Sequence, residues 1–124
     1  MKGEVIYIIH PYAGKGRPWD RWLNRKRVAR IAKELHRLGA YPVSPIHAMS
    51  YYKDTNPEER KRGIEIGGAL MMRTDAVCIA GKVQDSVGSQ AEITVAKTMG
   101  KKIYFATWKK GKLLVSGGKR HEQD

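Results

Sequence analysis

The sequence predicts an α/β protein, with a flavodoxin- or Rossmann-like three-layer sandwich built on a parallel sheet of about four to five strands. Short apolar runs at 4–9, 76–80 and 102–106 alternate with longer segments of helical periodicity. That alternation is typical of βα units and favours parallel strands with helices on both faces. The segment 75–105 reads as strand, loop, helix and strand, and the remaining elements are arranged around it.

The first half of the chain predicts a central strand, a long helix and an edge strand. Residues 4–9 are β-branched and aromatic, as expected of a buried parallel strand. Asp20 is expected to cap a helix that runs to about Leu38 and stops at Gly39. Pro42 places the short strand at 40–44 on an edge of the sheet.

The second half predicts two helices, two strands and a tail. A helix is expected from Asn56 and Pro57 to about Arg73, after a long loop that follows the second strand. A third helix begins near Ser86, and strands follow at 102–106 and, on an edge, at 113–115. Residues 1–116 then form one domain, and the polar residues 117–124 form a frayed tail.

Composition bounds the class of protein. The chain has 124 residues, enough for one core, and its single cysteine, Cys78, lies in an apolar strand and is expected to be core. Without a long apolar segment or a signal-peptide pattern, the sequence predicts a soluble cytoplasmic protein with no membrane contact. The histidines and the cysteine show no metal-ligand spacing, and no cofactor is predicted.

The charge is strongly positive, at +12. Such a field attracts polyanions, so nucleotides and, less favoured, nucleic acid are candidate partners. The alternative is that lysine and arginine only solvate helix faces, including the cationic start of the first helix. The sequence shows no arginine–aromatic array of the kind that binds single strands.

Two loops are expected to meet at one crevice, because ligands of α/β sheets bind at the carboxyl ends of the strands. After the first strand comes a glycine-rich basic loop with Tyr12, Gly14 and Lys15, which suits contact with a phosphate or is simply a surface turn. After the second strand comes His47, which either binds a sugar or phosphate or serves as an ordinary surface residue.

The helix start at 86–92 carries an SxGxxxE pattern, formed by Ser86, Gly88 and Glu92. With the strand and loop at 7–12 and the segments 45–47 and 59–60, this pattern resembles the nucleoside 2-deoxyribosyltransferase superfamily, which includes nucleotide N-hydrolases and an uncharacterised, often phage-borne branch. The resemblance covers roughly residues 5–105.

The resemblance implies a nucleotide or nucleoside ligand and cleavage of its N-glycosidic bond. Glu92 is the implied nucleophile; its place near the start of the third helix is expected to favour the carboxylate, although a helix-start acid can also merely cap amides. The substrate-binding positions expected around it are Tyr7, His10, Tyr12, Gly14, Lys15, His47, Ser86, Gly88 and Ser89.

The second acid of these enzymes is an aspartate on the helix before the third strand, and that register falls near Gly67 here. Glu65 is the nearest acid on the helix, Asp85 is a fallback, and Asp75 is expected to be structural because it begins a strand at the opposite end of the sheet. The departure leaves a non-catalytic nucleotide binder as the alternative. The resemblance also implies a homo-oligomer.

Overall fold

A computed structural model describes residues 1–12, 17–49 and 56–120. Its elements are β1 (Val5–Ile9), α1 (Pro18–Arg37), β2 (Tyr41–Val43), α2 (Pro45–Ala48), α3 (Pro57–Met72), β3 (Ala76–Ala80), a 3₁₀ turn (Val83–Asp85), α4 (Val87–Thr98), β4 (Lys102–Lys109) and β5 (Lys112–Arg120). None of the helices in these three ranges combines the length and the apolar character needed to cross a bilayer.

The strands form one mixed sheet in the order β2-β1-β3-β4-β5. The first four strands are mutually parallel, and β5 runs antiparallel to β4. The predicted α/β class is therefore confirmed, with β2 and β5 on the edges as expected. A purely parallel sheet was wrong, because β4 and β5 are joined by a tight turn at Lys110 and Gly111, and such a turn can join only antiparallel strands.

Several predicted boundaries shift for local reasons. Helix α1 begins at Pro18 and takes Arg17 as its N-cap, so Asp20 lies inside the first turn and pairs with Arg17 at 3.0 Å instead of capping. The expected loop after β2 contains the short helix α2, which Ser44 caps. The expected start of α3 is confirmed, since the Asn56 side chain accepts hydrogen bonds from two amides of the first turn.

Residues 117–120 belong to β5, so the prediction that a frayed tail begins at residue 117 was wrong, and residues 121–124 of that predicted tail lie outside the described residues. Gly117 and Gly118 have φ of +94° and +93°, where the pairing of β4 with β5 shifts register. A Cβ at Gly117 would lie 2.6 Å from the carbonyl oxygen of Ile103, and one at Gly118 would lie 2.6 Å from the Tyr104 ring. The glycine pair therefore lets β5 pass close to β4 through an irregularity in the ladder.

The core is divided into two clusters by the alternation of side chains along the strands. Ile6 and Ile8 of β1 pack with the apolar face of α1, and the intervening Tyr7 and Ile9 pack with residues of α3 and α4. Cys78 is fully buried in the first cluster, and burial raises the pKa of its thiol to about 12. Its predicted core role is confirmed.

Asp75 has the structural role that was expected. Its Oδ2 accepts a hydrogen bond from the backbone amide of Val5 at 2.8 Å, and its own amide donates to the Val5 carbonyl, also at 2.8 Å. These bonds fix the amino-terminal end of β1 beside β3, away from the carboxyl ends where the two loops begin.

Glu4 joins β4 to the start of the chain and should make stability depend on pH. The hydroxyl of Tyr104 and the ammonium of Lys102 both donate to its carboxylate, and the Tyr104 bond is the main cause that lowers the pKa of Glu4 from 4.5 to about 2. A lowered pKa stabilises the fold above the unfolded value, and this stabilisation is lost as the pH falls from 4.5 toward 2.

We therefore expect Glu4→Gln to reduce the free energy of unfolding by about 1 kcal/mol at pH 7. The deficit should close as the pH falls from 4.5 toward 2, because Glu4 takes up its proton near 4.5 in the unfolded chain and only near 2 in the folded one. Chemical denaturation across this pH range measures the effect, with the exposed Glu65→Gln as control. A deficit that is independent of pH would contradict the assignment.

Candidate functional site

A groove of about 480 Å³ opens between α3 and α4, beside the carboxyl ends of β1 and β2. Its lining is mainly apolar and includes only a few charged or titratable side chains. The lining residues are Tyr7, His10, Tyr12, Pro45, Ile46, Met49, Glu59, Arg60, Gly63, Ile64, Gly67, Gly68, Met71, Val87, Gly88, Ala91, Glu92 and Val95.

Small residues on the two helices keep the groove open. Gly63, Gly67 and Gly68 lie on α3, and Gly88 and Ala91 face them from α4. A Cβ added at Gly68 or at Gly88 would meet no atom within 4 Å. A ligand can therefore approach the helix backbones closely, which larger side chains would prevent.

Glu92 and Tyr7 form a hydrogen-bonded pair at the floor of the groove. Tyr7 is fully buried, and its hydroxyl donates to Oε2 of Glu92. Burial raises the pKa of Glu92, and the bond from Tyr7 offsets part of that rise. Burial, together with the neighbouring carboxylate, also raises the pKa of Tyr7, so Tyr7 keeps its proton as a donor.

The electrostatic expectation for Glu92 was therefore wrong. Helix α4 starts at Val87, which makes Glu92 its sixth residue, beyond the first turn where the helix dipole acts strongly. Desolvation in the groove outweighs the remaining influence of the helix end, so the neutral acid is favoured relative to a glutamate in water.

The hydroxyl of Tyr7 also lies against Gly67. A Cβ added at Gly67 would be 3.1 Å from that oxygen. Gly67 lies at the position where the resembled enzymes would have a second acid. In this chain the position has no acid, and the hydroxyl of Tyr7 from β1 lies beside the glycine. Sequence reasoning expected Tyr7 near the ligand but not this pairing.

His10 contributes a buried imidazole to the same groove. Its Nδ1 lies 2.6 Å from the carbonyl oxygen of Pro11, which can only accept, so the proton is on Nδ1. Burial is the main cause that lowers the pKa of His10. Its Nε2 faces Gly81, where φ is +80° and an added Cβ would be only 2.7 Å from that nitrogen.

Tyr12 is held at the end of the groove by α1. The Asn24 amide donates to the Tyr12 carbonyl at 2.8 Å, and the Arg25 guanidinium donates to its hydroxyl at 3.2 Å. These bonds fix the chain just after β1, so that Tyr7, His10 and Tyr12 line the groove together as expected.

Other predicted residues lie elsewhere. Ser86 serves as the N-cap of α4 by accepting from the Ser89 amide at 3.2 Å, and Ser89 is buried. Of the three predicted positions at this helix start, only Gly88 lines the groove. Exposed side chains outside the lining include Glu65, Asp85 and His47, and the His47 ring turns back to the Ser44 hydroxyl at 3.2 Å. Gly14 and Lys15 lie outside the described residues.

Helix α3 contributes a wall of the groove through Gly63, Gly67 and Gly68, which the sequence analysis did not place at the site. The available signal was the four-residue spacing of Gly63 and Gly67, about one helical turn, which aligns these two on one face.

Residues 4–106 match the model of a family described as a domain of unknown function, DUF7768. The chain belongs to the DUF7768 family. Every residue that lines the groove falls within this match, so the groove is built by the family domain. A search of curated proteins found no match.

The raised pKa of Glu92 makes a prediction about stability. An acid whose pKa is higher in the folded state stabilises the fold at low pH and loses that contribution as the pH rises above its unfolded value of 4.5. We expect Glu92→Gln to melt at a higher temperature than wild type at pH 8, with the difference vanishing near pH 4. A difference in melting temperature that does not change with pH would contradict burial as the cause.

Proposed function

We propose that this protein cleaves the N-glycosidic bond of a nucleoside or nucleotide and passes the sugar to water or to another base, with Glu92 as the nucleophile. The observation that carries the proposal is the Glu92–Tyr7 pair at the floor of a groove with room for a small ligand. A groove of about 480 Å³ falls in the range of small-molecule sites, which are mostly apolar with a few placed polar groups.

The proposed chemistry uses the two oxygens of Glu92 differently. Oε2 accepts the bond from Tyr7, which fixes the plane of the carboxylate and leaves Oε1 to attack the anomeric carbon. As that bond forms, the base departs with the electrons of the glycosidic bond. The departed base takes up a proton from solvent. Water or a second nucleobase then attacks the anomeric carbon, breaks the ester bond and gives its proton to solvent, which restores the Glu92 carboxylate.

The rest of the lining suits the remainder of a nucleoside. Ile46, Ile64 and Met71 offer apolar surface to a base, and Arg60 offers a positive charge at the exposed rim. Glu59 is the other carboxylate of the lining, but it lies eight residues before Gly67, which is about 12 Å along the helix axis. It is therefore far from Glu92, and this separation favours a ligand whose base departs without a nearby carboxylic acid.

The second candidate is a binder of a nucleotide-derived ligand that performs no chemistry. Two observations favour it: Gly67 supplies no acid beside Glu92, and burial raises the pKa of Glu92, which reduces the fraction present as nucleophile.

The flavodoxin-like layering and the homo-oligomer expected from the sequence also stay predictions. The two core clusters on alternate residues of β1 support the layering.

A panel of ribonucleosides, deoxynucleosides and their 5′-monophosphates tests both candidates. Calorimetry measures binding, and chromatography follows release of the free base. Ala91→Phe places a ring in the groove and should abolish binding, whereas Ala69→Phe adds the same ring to α3 outside the lining and should not. Binding with base release supports the enzyme, binding alone supports the binder, and equal behaviour of the two variants contradicts the groove as the site.

A further inference from the structure

The solvent-facing side of α1 carries a stripe of tryptophan and cationic side chains. At about 100° per residue, its six members fall within an arc of about 80°, opposite the buried face formed by Val28, Ile31 and Leu35. All six are exposed, and none lines the groove. The members of this α1 stripe are Trp19, Trp22, Lys26, Arg30, Lys33 and Arg37.

The stripe continues onto the sheet through Trp108 of β4. The guanidinium of Arg30 lies 4.4 Å from the centre of the Trp108 ring, and the ammonium of Lys26 lies 5.3 Å from that of Trp22. Trp108 sits in the β4–β5 hairpin, which also contains Lys109, Lys110 and Lys112. Tertiary contact thus creates the arginine–aromatic array that the linear sequence did not reveal.

Large aromatic surface is left in water along this array. The exposed fractions are 60% for Trp19, 55% for Trp22 and 41% for Trp108, although tryptophan is usually well buried. The cations between them are mostly available, since within the described ranges only Arg37 of the α1 stripe has an acidic partner, Glu34. The surface therefore combines ring faces with uncompensated positive charge.

We propose that the α1 stripe and Trp108 bind single-stranded nucleic acid. Exposed bases stack on tryptophan faces without regard to sequence, and lysine and arginine neutralise the phosphates between them. The net charge of +12 complements such a polyanion. Duplex nucleic acid offers the same phosphates but hides its base faces, so it fits the charge of this surface and not its aromatic rings.

The spacing of the tryptophan rings fits a single-stranded nucleic acid that lies along α1. Trp22 and Arg30 are eight residues apart, about 12 Å along the axis of α1. Because Arg30 contacts Trp108, the rings of Trp22 and Trp108 lie at the two ends of the row formed by Lys26 and Arg30. Each ring offers a surface on which a base can stack. Neither the α1 stripe nor Trp108 contributes to the lining of the groove with Glu92, so binding at this surface does not require chemistry at Glu92.

Intrinsic fluorescence provides a direct measurement, because all three tryptophans of the chain belong to this surface. Titration with oligothymidylate of about 16 nucleotides should quench it. Affinity should fall with salt at about 0.7 logarithmic units per neutralised phosphate and per decade of salt. Lys26→Gln with Arg30→Gln should weaken binding and make that slope shallower by about 1.4. Lys82→Gln with Lys97→Gln removes the same charge elsewhere and should leave the slope unchanged.

The tryptophan variants separate stacking from charge. Trp22→Ala and Trp108→Ala should each weaken oligothymidylate binding about 5- to 100-fold, and Trp22→Phe, which keeps a ring on the exposed surface, should recover much of the loss. Heparin and a duplex of equal length should be insensitive to Trp22→Ala. Equal sensitivity of all three polyanions, tighter binding to vesicles of anionic lipid, or no binding in low salt would each overturn the proposal.

Discussion

Replacing Glu92 with alanine should reduce turnover in the proposed reaction by roughly 10³-fold or more, because it removes the proposed nucleophile. Substrate affinity should change much less, since the groove walls on α3 and α4 stay in place. Steady-state kinetics with base release as the readout measures both quantities. Glu92→Gln should be equally inactive, because the amide keeps the shape of the side chain and cannot form the ester.

The matched control is Glu65→Ala. Glu65 is an exposed acid on α3 that does not line the groove, so its loss should leave turnover within about twofold of wild type. If Glu92→Ala retains wild-type turnover while Ala91→Phe abolishes it, the groove is the site but Glu92 is not the nucleophile. If neither variant affects turnover, the chemistry lies elsewhere.

Tyr7→Phe should lower turnover by roughly 10²-fold and change its pH dependence. The hydroxyl fixes one oxygen of Glu92 and lowers the pKa of the carboxyl against the rise caused by burial. Without it the pKa of Glu92 rises further, and less of the nucleophile is ionised at a given pH. The increase of kcat/KM with pH should therefore occur at a higher pH than in wild type.

A profile of kcat/KM from about pH 4 to 9 distinguishes this effect from simple loss of packing. Loss of packing would lower kcat/KM by the same factor at every pH. It would not move the acidic limb of the profile, which is the range in which kcat/KM rises with pH. Tyr41→Phe removes an equivalent hydroxyl from an exposed side chain and should leave the profile unchanged. An acidic limb that stays in place in Tyr7→Phe would show that the Tyr7 bond does not control the ionisation of Glu92.

A second test of the same contact uses Gly67. A methyl group at this position would press on the Tyr7 hydroxyl at 3.1 Å, whereas Gly68→Ala adds the same group to open space. We expect Gly67→Ala to reproduce part of the Tyr7→Phe shift in the pH profile and Gly68→Ala to leave the profile unchanged.

The fold class and most elements followed from local pattern. Continuous apolar runs predicted β1 and β3, helical periodicity predicted α1 and α4, and Asn56 followed by proline predicted the start of α3. Pro42 correctly placed β2 on an edge. These features depend on neighbours in the chain, which is why the sequence alone was sufficient. The hairpin of β4 and β5 was only half predicted, because Gly117 and Gly118 are also typical of a loose tail.

By itself, the sequence determined the composition of the site: a carboxylate on α4, aromatic and imidazole side chains after β1, and a large positive charge. Tertiary structure decided their chemistry and neighbours. Burial of Glu92 beside β1 raises its pKa and gives it Tyr7 as a donor, and contact of α1 with β4 brings Arg30 onto Trp108. Desolvation and contacts between distant segments depend on the three-dimensional surroundings of a side chain, and no local pattern encodes them.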